Sequence, residues 1–259
     1  MSFEIEAACG CLCGSSRSRN EDNFYFKKKH LPEINKGLKS PLKFKGNTDD
    51  AVLFAVFDGM GGEARGEEAS CTASEVFAEE AKQLDEIVVN GKEFLIKTCT
   101  KASERICKKA KEEQVGTMGT TVAALYFMQD EVFSCNVGDS KVFRIRNGKM
   151  TQISEDHTDE KLLSAMGVSK KPVLLQYLGI PEKTMVIDPF VTKGDILADD
   201  YFVACSDGVT DVFSPSEIYE TVKRLGKTDS VVKDVLANVM KKDGTDNATI
   251  IVVRIDRKV

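Results

Sequence analysis

Four short acidic motifs contain the residues of this chain that are best suited to chemistry. Three of them directly follow an apolar run, so their carboxylates are expected at strand ends, where a rigid edge holds them. Unpaired carboxylates gathered at the mouth of a core repel one another, so either they diverge in space or cations neutralise them. The motifs are Asp58-Gly59-Met60-Gly61-Gly62, Gly138-Asp139-Ser140, Ser206-Asp207-Gly208-Val209-Thr210-Asp211 and Asp246-Asn247.

The composition of these motifs favours cation binding. They offer hard carboxylate oxygens with almost no imidazole or thiolate nearby, and such ligands select Mg²⁺ or Mn²⁺ over zinc or copper. Asp-Gly pairs are common in turns, so a single motif indicates little. The order and the combination of the four carry the signal.

The elements that must position these motifs are short buried strands and paired amphipathic helices. Strands are predicted at residues 9–13, 23–26, 52–57, 120–127, 132–137, 141–145, 149–153, 202–205 and 248–255. Apolar residues at helical spacing predict helices over 69–87, 95–110, 215–225 and 230–240. Runs of strands that alternate with pairs of helices predict an α+β fold, in which helices cover antiparallel sheets. The strands of the middle region are expected to follow one another as hairpins.

Length and composition favour one soluble domain over residues 1–259. The 259 residues, 42% of them hydrophobic, can bury a substantial core, and no linker rich in Pro, Gly and Ser divides them. No apolar run approaches the roughly 20 residues of a membrane span, and the acidic N-terminus lacks the pattern of a secretory signal. We therefore expect a cytoplasmic protein without membrane binding. The net charge of −5 argues against nucleic-acid binding.

One basic segment departs from this acidic balance. Between Lys27 and Asp50 the chain has seven lysines and three acids. The segment is interpreted either as a solvated loop or, over Lys27 to Lys45, as a docking surface for an anionic substrate.

Other chemistries fit the sequence less well. Residues 59–64 match a dinucleotide-binding pattern, but the carboxylate of Asp58 would lie beside a charged pyrophosphate. Cys99 and Arg105 have the spacing of cysteine phosphatases, yet the residues between them continue a helical pattern and contain no glycine. No serine-hydrolase elbow is present. The eight cysteines are expected to act mainly as small buried hydrophobes.

Eight motifs follow one another in an order that carries a family resemblance. They are Arg17 to Asp22 as R-x-x-x-E-D, Asp58 to Gly62 as D-G-x-G-G, Gly119-Thr120-Thr121, Asn136 to Ser140, Asp156-His157, Leu178-Gly179, Cys205 to Asp211 and Asp246-Asn247. In this order they resemble the PPM family, the type 2C metal-dependent protein serine/threonine phosphatases, over about residues 7–255. Met60 is similar to the bacterial type, since many eukaryotic members have His there. The resemblance implies a four-layer αββα sandwich of two packed antiparallel sheets, with a binuclear metal centre at one end.

The resemblance also implies roles for the metal-binding residues. Asp58 would bridge both metals, Gly59 would supply a backbone carbonyl, and Asp207 and Asp246 would ligate one metal. Glu21 and Asp22 would hold metal-bound waters. Asp139 and Asp211, with Asp207, match a weaker third metal site.

Arg17 is our prediction for the residue that binds the substrate phosphate. It stands four residues before Glu21, as in the family, and a guanidinium offers two donors to phosphate oxygens. Arg19 is the alternative, because on an extended strand it faces the same way as Arg17. His157 is expected to be structural.

The resemblance implies hydrolysis of phosphoserine and phosphothreonine in proteins by water activated at two Mg²⁺ or Mn²⁺ ions, with no protein nucleophile. Met60 cannot donate a proton to the leaving group. Phosphoproteins and an opposing serine/threonine kinase system are the expected partners. The alternative hypothesis is a phosphatase-like module without catalytic activity that docks partners through Lys27 to Lys45.

Overall fold

Two antiparallel sheets form the centre of the protein. The computed structural model describes residues 2–60, 65–85, 90–242 and 244–258. Within these residues one sheet, called sheet A, has the strand order β3-β1-β11-β10-β7-β8. Its strands are β1 (Phe3–Leu12), β3 (Leu42–Asn47), β7 (Lys141–Arg146), β8 (Lys149–Gln152), β10 (Tyr201–Cys205) and β11 (Ala248–Lys258). Sheet B has the order β2-β4-β5-β6-β9, with β2 (Asp22–Phe26), β4 (Val52–Asp58), β5 (Val122–Met128), β6 (Glu131–Val137) and β9 (Phe190–Asp195).

The space between the two sheets is filled largely by aromatic side chains. Phe54 on β4 packs against Phe26 at 4.9 Å between ring centroids, and Phe127 meets Phe202 of the other sheet at 5.3 Å. Residues next to Phe54 on β4 face the opposite way, so Leu53 joins a second core beneath helices. Because both faces of such strands are buried, they read as continuous apolar runs in the sequence.

Helices cover the outer face of each sheet. Sheet B packs beneath α1 (Gly66–Glu80) and α2 (Gly91–Glu112), and sheet A beneath α5 (Pro215–Leu225) and α6 (Thr228–Lys241). The predicted α+β sandwich of four layers is therefore confirmed. Helix α5 has the bounds that the sequence predicts, because Ser214 caps its N-terminus in a capping box and Gly226 follows its end.

The structure corrects several expectations about elements. The strands of the middle region are not all hairpin neighbours, since β6 belongs to sheet B and β7 to sheet A. The helix predicted over 69–87 ends at Glu80 and continues as a 3₁₀ turn (Ala81–Asp85), and residue 87 lies outside the described residues. Strands β3 and β9 were not predicted, nor were the short helices α3 (Glu160–Ala165) and α4 (Asp207–Thr210).

The cysteines are free, and five of those in strands and helices are fully buried. Burial raises the pKa of the Cys11 and Cys205 thiols to about 12, so they remain protonated and unreactive. They behave as the buried hydrophobes that the sequence predicts. No helix among the described residues has the length and apolarity to cross a bilayer.

Candidate metal centre

The two sheets bring the predicted carboxylates to the same end of the sandwich. In sheet B, Asp22 begins β2 and pairs in register with Asp58, which ends β4. In sheet A, Asp207 follows β10 at the start of α4, and Asp246 precedes β11. Asp139 lies in the turn where the chain leaves β6 for β7. Each sheet therefore contributes part of the acidic cluster.

The backbone around Asp58 is held by two neighbouring threonines. The N–H of Thr121 and the hydroxyl of Thr120 donate to the Asp58 carbonyl at 2.8 and 2.9 Å, and the Asp58 N–H donates to Thr121 Oγ1 at 3.1 Å. Thr121 Oγ1 also contacts Ser140 Oγ at 2.7 Å. The Gly119-Thr120-Thr121 motif therefore acts as a support that fixes the end of β4.

Close backbone contacts fix the residues next to Asp58 and Asp207. A Cβ on Gly59 would overlap the carbonyl oxygens of Glu21 and Gly66, and the Gly59 N–H donates to Glu21 O at 3.1 Å. A Cβ on Gly208 would overlap the carbonyl oxygen of Asn247. Only glycine allows these approaches, so close packing requires a glycine directly after each of the two aspartates.

Asp22 is the most deeply buried acid of the cluster. Its Oδ2 accepts hydrogen bonds from Ser206 Oγ at 2.8 Å and Thr249 Oγ1 at 2.7 Å, whereas its buried Oδ1 has no hydrogen-bond partner. Burial raises the pKa of Asp22 to about 7, with the two hydroxyl groups opposing the shift and the charges of Asp207 and Asp246 adding to it. Ser206 and Thr249 are functional supports that the sequence did not reveal.

The other carboxylates raise one another's pKa values. Removal from water raises the pKa of Asp58 well above its usual range, and the charges of Asp22, Asp207 and Asp139 add to this. Burial also raises the pKa of Asp207, and the charges of Asp211 and Asp246 add to this. The pKa of Asp139 rises to about 6, first through burial and then through Asp207.

These residues fit a hard divalent cation. No basic side chain in the described part of the chain forms an ion pair with Asp22, Asp58, Asp139 or Asp207. An unpaired, buried carboxylate cluster is stabilised by protons or by cations, and an all-oxygen donor set suits Mg²⁺ or Mn²⁺. Among the described residues, no three His, Cys, Asp or Glu side chains already form a complete ligand set. The carboxylates surround the site without closing on one point.

The two candidate arginines diverge, contrary to the expectation that they face the same way. Residues 15–20 form turns and bends, not an extended strand. Arg17 Nη2 donates to Asp246 Oδ2 at 2.8 Å, and the exposed fraction of the Arg17 side chain is 43%. Arg19 instead forms an ion pair with Glu67 of α1. Arg17 therefore lies at the mouth of the cluster, whereas Arg19 is held by α1.

The remaining predicted residues lie around this cluster. The Glu21 N–H donates to Asn247 Oδ1 at 2.8 Å, and burial raises the pKa of the Glu21 carboxyl. Asp211 is exposed and lies 3.8 Å from Lys171 Nζ, so it stands at the rim. His157 Nδ1 accepts the Gly138 N–H at 3.2 Å, which is a structural contact.

Comparisons with known proteins identify the family and agree with this fold. The profile of the family Protein phosphatase 2C matches residues 42–245. A "Serine/threonine phosphatase stp" of Listeria innocua is 30% identical over 219 residues, which cover 80% of this chain and 86% of that protein. "Serine/threonine protein phosphatase PstP" of Mycobacterium tuberculosis is 27% identical to this chain. The match covers 80% of this chain and 42% of PstP.

Solved structures share the architecture. The PPM Ser-Thr phosphatase MsPP of Mycobacterium smegmatis, solved in complex with cacodylate, has a TM-score of 0.72 and 26% identity, over 97% of this chain and 98% of that one. The catalytic domain of PstP, solved in complex with two manganese ions, has a TM-score of 0.79 and 24% identity, over 98% and 100% of the two chains.

The chain belongs to the protein phosphatase 2C family. It is a serine/threonine protein phosphatase of the bacterial type, in a class of metal-dependent enzymes, as the sequence predicts.

Proposed function

We propose that Asp58, the Gly59 carbonyl, Asp207 and Asp246 hold two Mg²⁺ or Mn²⁺ ions, at which the enzyme hydrolyses phosphoserine and phosphothreonine in proteins. The observation that carries this assignment is the set of carboxyl groups of Asp22, Asp58, Asp139 and Asp207, none of which forms an ion pair with a basic side chain in the described part of the chain. Asp246 joins them from sheet A and is paired with Arg17. The relative PstP binds two manganese ions in its crystal structure, which supports the choice of metal. Asp139 and the exposed Asp211 remain candidates for a third site.

Different residues of the chain would have different roles around such a centre. Bound cations would supply a nucleophile from water near neutral pH and neutralise charge on the phosphoryl group. Asp58 lies between Asp22 and Asp207, which suits a shared ligand. Glu21, whose N–H donates to Asn247, and the deeply buried Asp22 would orient water molecules by hydrogen bonds. No side chain is required to attack phosphorus.

Arg17 is the residue that we assign to the substrate phosphate. Its guanidinium lies at the mouth of the cluster, partly exposed and close enough for its charge to interact with Glu21 and Asp58. A planar guanidinium donates two N–H groups to phosphate oxygens and holds them in line with the attacking water. Met60 has no acidic proton, so the leaving alkoxide must take its proton from water.

The reaction implies a partner class. A hydrolase for phosphoserine and phosphothreonine needs proteins that a serine/threonine kinase has phosphorylated, and we propose such a kinase system as the opposing activity. The cytoplasmic location stays a prediction.

The alternative, a docking module without catalytic activity, finds limited support in the basic segment. Its residues 42–47 form the edge strand β3, in which Lys43 pairs with Asp229 and Lys45 with Glu6 at 3.0 Å. Ion pairs within the protein leave less charge for a partner than the sequence count suggests.

The assignment is tested by release of phosphate from a phosphothreonine peptide with Mn²⁺, with EDTA, and with Asp207→Ala. We expect chelation to abolish turnover and Asp207→Ala to lower kcat by about 10²–10³-fold. Asp50→Ala is the control and should retain activity, because Asp50 is exposed and precedes β4 at the end opposite to Asp58. Turnover that resists both EDTA and Asp207→Ala would overturn the assignment.

A further inference from the structure

The lateral margin of the sandwich between β8 and β9 is open. A groove of about 510 Å³ lies there, and neither the metal centre nor the family motifs account for it. At the opposite margin the inter-sheet space is closed by aromatic rings, since Phe54 packs against both Phe26 and Phe44 of the edge strands β2 and β3. At the open margin the corresponding wall is made by small side chains, Ser134, Thr192 and Gly194.

Arg144 is the unusual residue of this groove. It stands two residues after Val142 on β7 and pairs in register with Phe202, and both of these belong to the core between the sheets. Arg144 therefore projects into the inter-sheet space, where a charge is unexpected. The Arg144 side chain forms no ion pair or hydrogen bond with any residue that the structure describes, and the acid whose pKa it helps to lower, Asp195, is already held by Arg146.

The charge of the groove is positive on an acidic protein. Arg144, Lys161 and Lys193 line it against a single acid, Glu155. Lys193 is partly paired with Glu131 at 2.6 Å and Lys161 with Glu155 at 2.9 Å, so Arg144 is the basic group left for a ligand. A guanidinium beside hydroxyl groups recognises a carboxylate through two N–H donors.

The shape of the groove suits an extended chain. Among the strands that the structure describes, β8 and β9 are the outermost strands of sheets A and B on this side, so each presents an edge with no neighbour from this set. Such edges accept an extended peptide by main-chain hydrogen bonds. A free anion would occupy only the guanidinium and leave the edges and the apolar wall of Phe190 and Ile153 uncovered.

The groove also leads toward the metal centre. Ser134 lies three residues before the end of β6, a distance of about 10 Å along the strand, and Asp139 is the second residue after that end. On the other wall, Ser154 and Glu155 lead to His157, whose N–H donates to Gly138 O at 3.0 Å. Roughly three to five extended residues cover this distance.

We propose that the groove between β8 and β9 binds an extended acidic segment of the phosphoprotein substrate, and that Arg144 pairs with a carboxylate some residues away from the phosphorylated one. The proposal rests on the proposed function, because it needs a phosphoprotein at the metal centre. Arg144 is a specificity residue in this arrangement and takes no part in the chemistry.

The test uses phosphothreonine peptides that differ in one segment. Glutamates are placed roughly three to five residues before or after the phosphothreonine, and matched peptides carry glutamines there. For one of the two placements, the acidic peptide should have a KM about 5- to 10-fold lower with kcat unchanged. Arg144→Gln should abolish this difference, and Arg144→Glu should reverse it in favour of a peptide with lysines.

Controls separate docking from chemistry and from folding. Hydrolysis of p-nitrophenyl phosphate, which is too small to reach the groove, should be unchanged in both Arg144 variants. Arg224→Gln removes an exposed arginine of α5 that pairs with Asp234, and it should keep the preference for acidic peptides. Peptide binding measured by fluorescence anisotropy in EDTA should show the same dependence on Arg144 without any turnover.

Each outcome has a defined consequence. Equal KM values for acidic and neutral peptides, or a preference that survives Arg144→Gln, would overturn the proposed role of the groove and leave the phosphatase assignment intact. Inhibition by free glutamate or inorganic phosphate that depends on Arg144, without a peptide preference, would assign the groove to a small anion, and a dimer lost in Arg144→Gln would assign it to a second copy. Binding that depends on Arg144 in an enzyme that releases no phosphate would overturn the proposed function alone.

Discussion

At the scale of single residues, the two arginines near the cluster give a clear contrast. Arg17 donates to Asp246, whereas Arg19 pairs with Glu67 of α1. We expect Arg17→Ala to lower kcat/KM for a phosphopeptide by about 10²-fold, because it removes the bidentate phosphate contact that we propose for Arg17. Arg19→Ala is the matched control and should change kcat/KM by less than about threefold, because Arg19 pairs with Glu67 of α1 and has no assigned contact with the phosphate. Because Glu67 is buried, thermal unfolding of Arg19→Ala is measured alongside to separate a loss of stability from a loss of activity. Steady-state kinetics of both variants tests which arginine binds the phosphate. A larger loss of kcat/KM for Arg19→Ala than for Arg17→Ala would reverse the assignment.

His157 provides a pH-dependent contribution to stability that is independent of catalysis. Burial lowers its pKa, and its neutral Nδ1 accepts the Gly138 N–H. A lowered pKa means that the unfolded state binds the proton more readily, so the contribution is complete above the usual pKa of about 6.5 and is lost as the pH falls through the folded value.

The matched variant is His157→Asn, whose amide oxygen can accept the same hydrogen bond without titrating. We expect the free energy of unfolding of the native protein to fall relative to His157→Asn as the pH drops from about 8 to 5. Urea unfolding in EDTA at several pH values measures the difference, and other titrating groups cancel between the two proteins. A difference that is constant over this range would contradict the contact.

At the scale of elements, helix α4 and the start of β11 must approach closely to bring Asp207 and Asp246 together. Gly208 makes this possible, because a Cβ there would overlap the Asn247 carbonyl. We expect Gly208→Ala to destabilise the protein by about 1–3 kcal/mol and to weaken Mn²⁺ binding, since the two elements must separate. Gly116→Ala is the control, because nothing lies within 4 Å of its Cβ position.

Thermal unfolding and calorimetric Mn²⁺ titration of both variants test this expectation. Gly116→Ala should have an unfolding free energy within about 0.5–1 kcal/mol of the native value, and unchanged Mn²⁺ affinity. If Gly208→Ala binds Mn²⁺ as tightly as the native protein, the close approach of α4 to β11 does not define the site.

The elements also show what a sequence can and cannot predict. Helix α5 was predicted at both ends because its signals are local: the Ser214 cap, Pro215 and Gly226. The edge strand β3 was interpreted as a loop, because alternating lysines on a partly exposed strand look like a solvated segment. Its strand character comes from pairing with β1, which no local pattern encodes.

The candidate site also has features that the sequence predicts and features that only the fold reveals. The acidic motifs and their order were readable, since chemistry requires particular residue types at strand ends. The hydroxyl groups of Ser206 and Thr249 that hold Asp22 were not, because their partner lies 184 and 227 residues away along the chain. Likewise, the divergence of Arg17 and Arg19 depends on Asp246 and Glu67, which only the fold brings near.

At the scale of the whole molecule, the proposed metal centre would join the two sheets. Asp22 and Asp58 come from sheet B, and Asp207 and Asp246 from sheet A, so the chain must cross between sheets, as it does from β6 to β7, to build one cluster. Without cations the buried carboxylates raise one another's pKa and oppose the approach of the sheets. Bound cations would neutralise this repulsion and hold the two sheets together.

If bound cations hold the two sheets together, metal binding should stabilise the whole molecule. Mn²⁺ at about 100 times its Kd should raise the free energy of unfolding by about 2.7 kcal/mol. Because the ligands lie on both sheets, hydrogen exchange should slow in β4 of sheet B and in β10 and β11 of sheet A together. Asp207→Ala removes a ligand from sheet A only, yet it should abolish the Mn²⁺-dependent protection in both sheets. Protection that stays confined to one sheet, or that persists in β4 after Asp207→Ala, would mean that the cation binds one sheet and does not join the two.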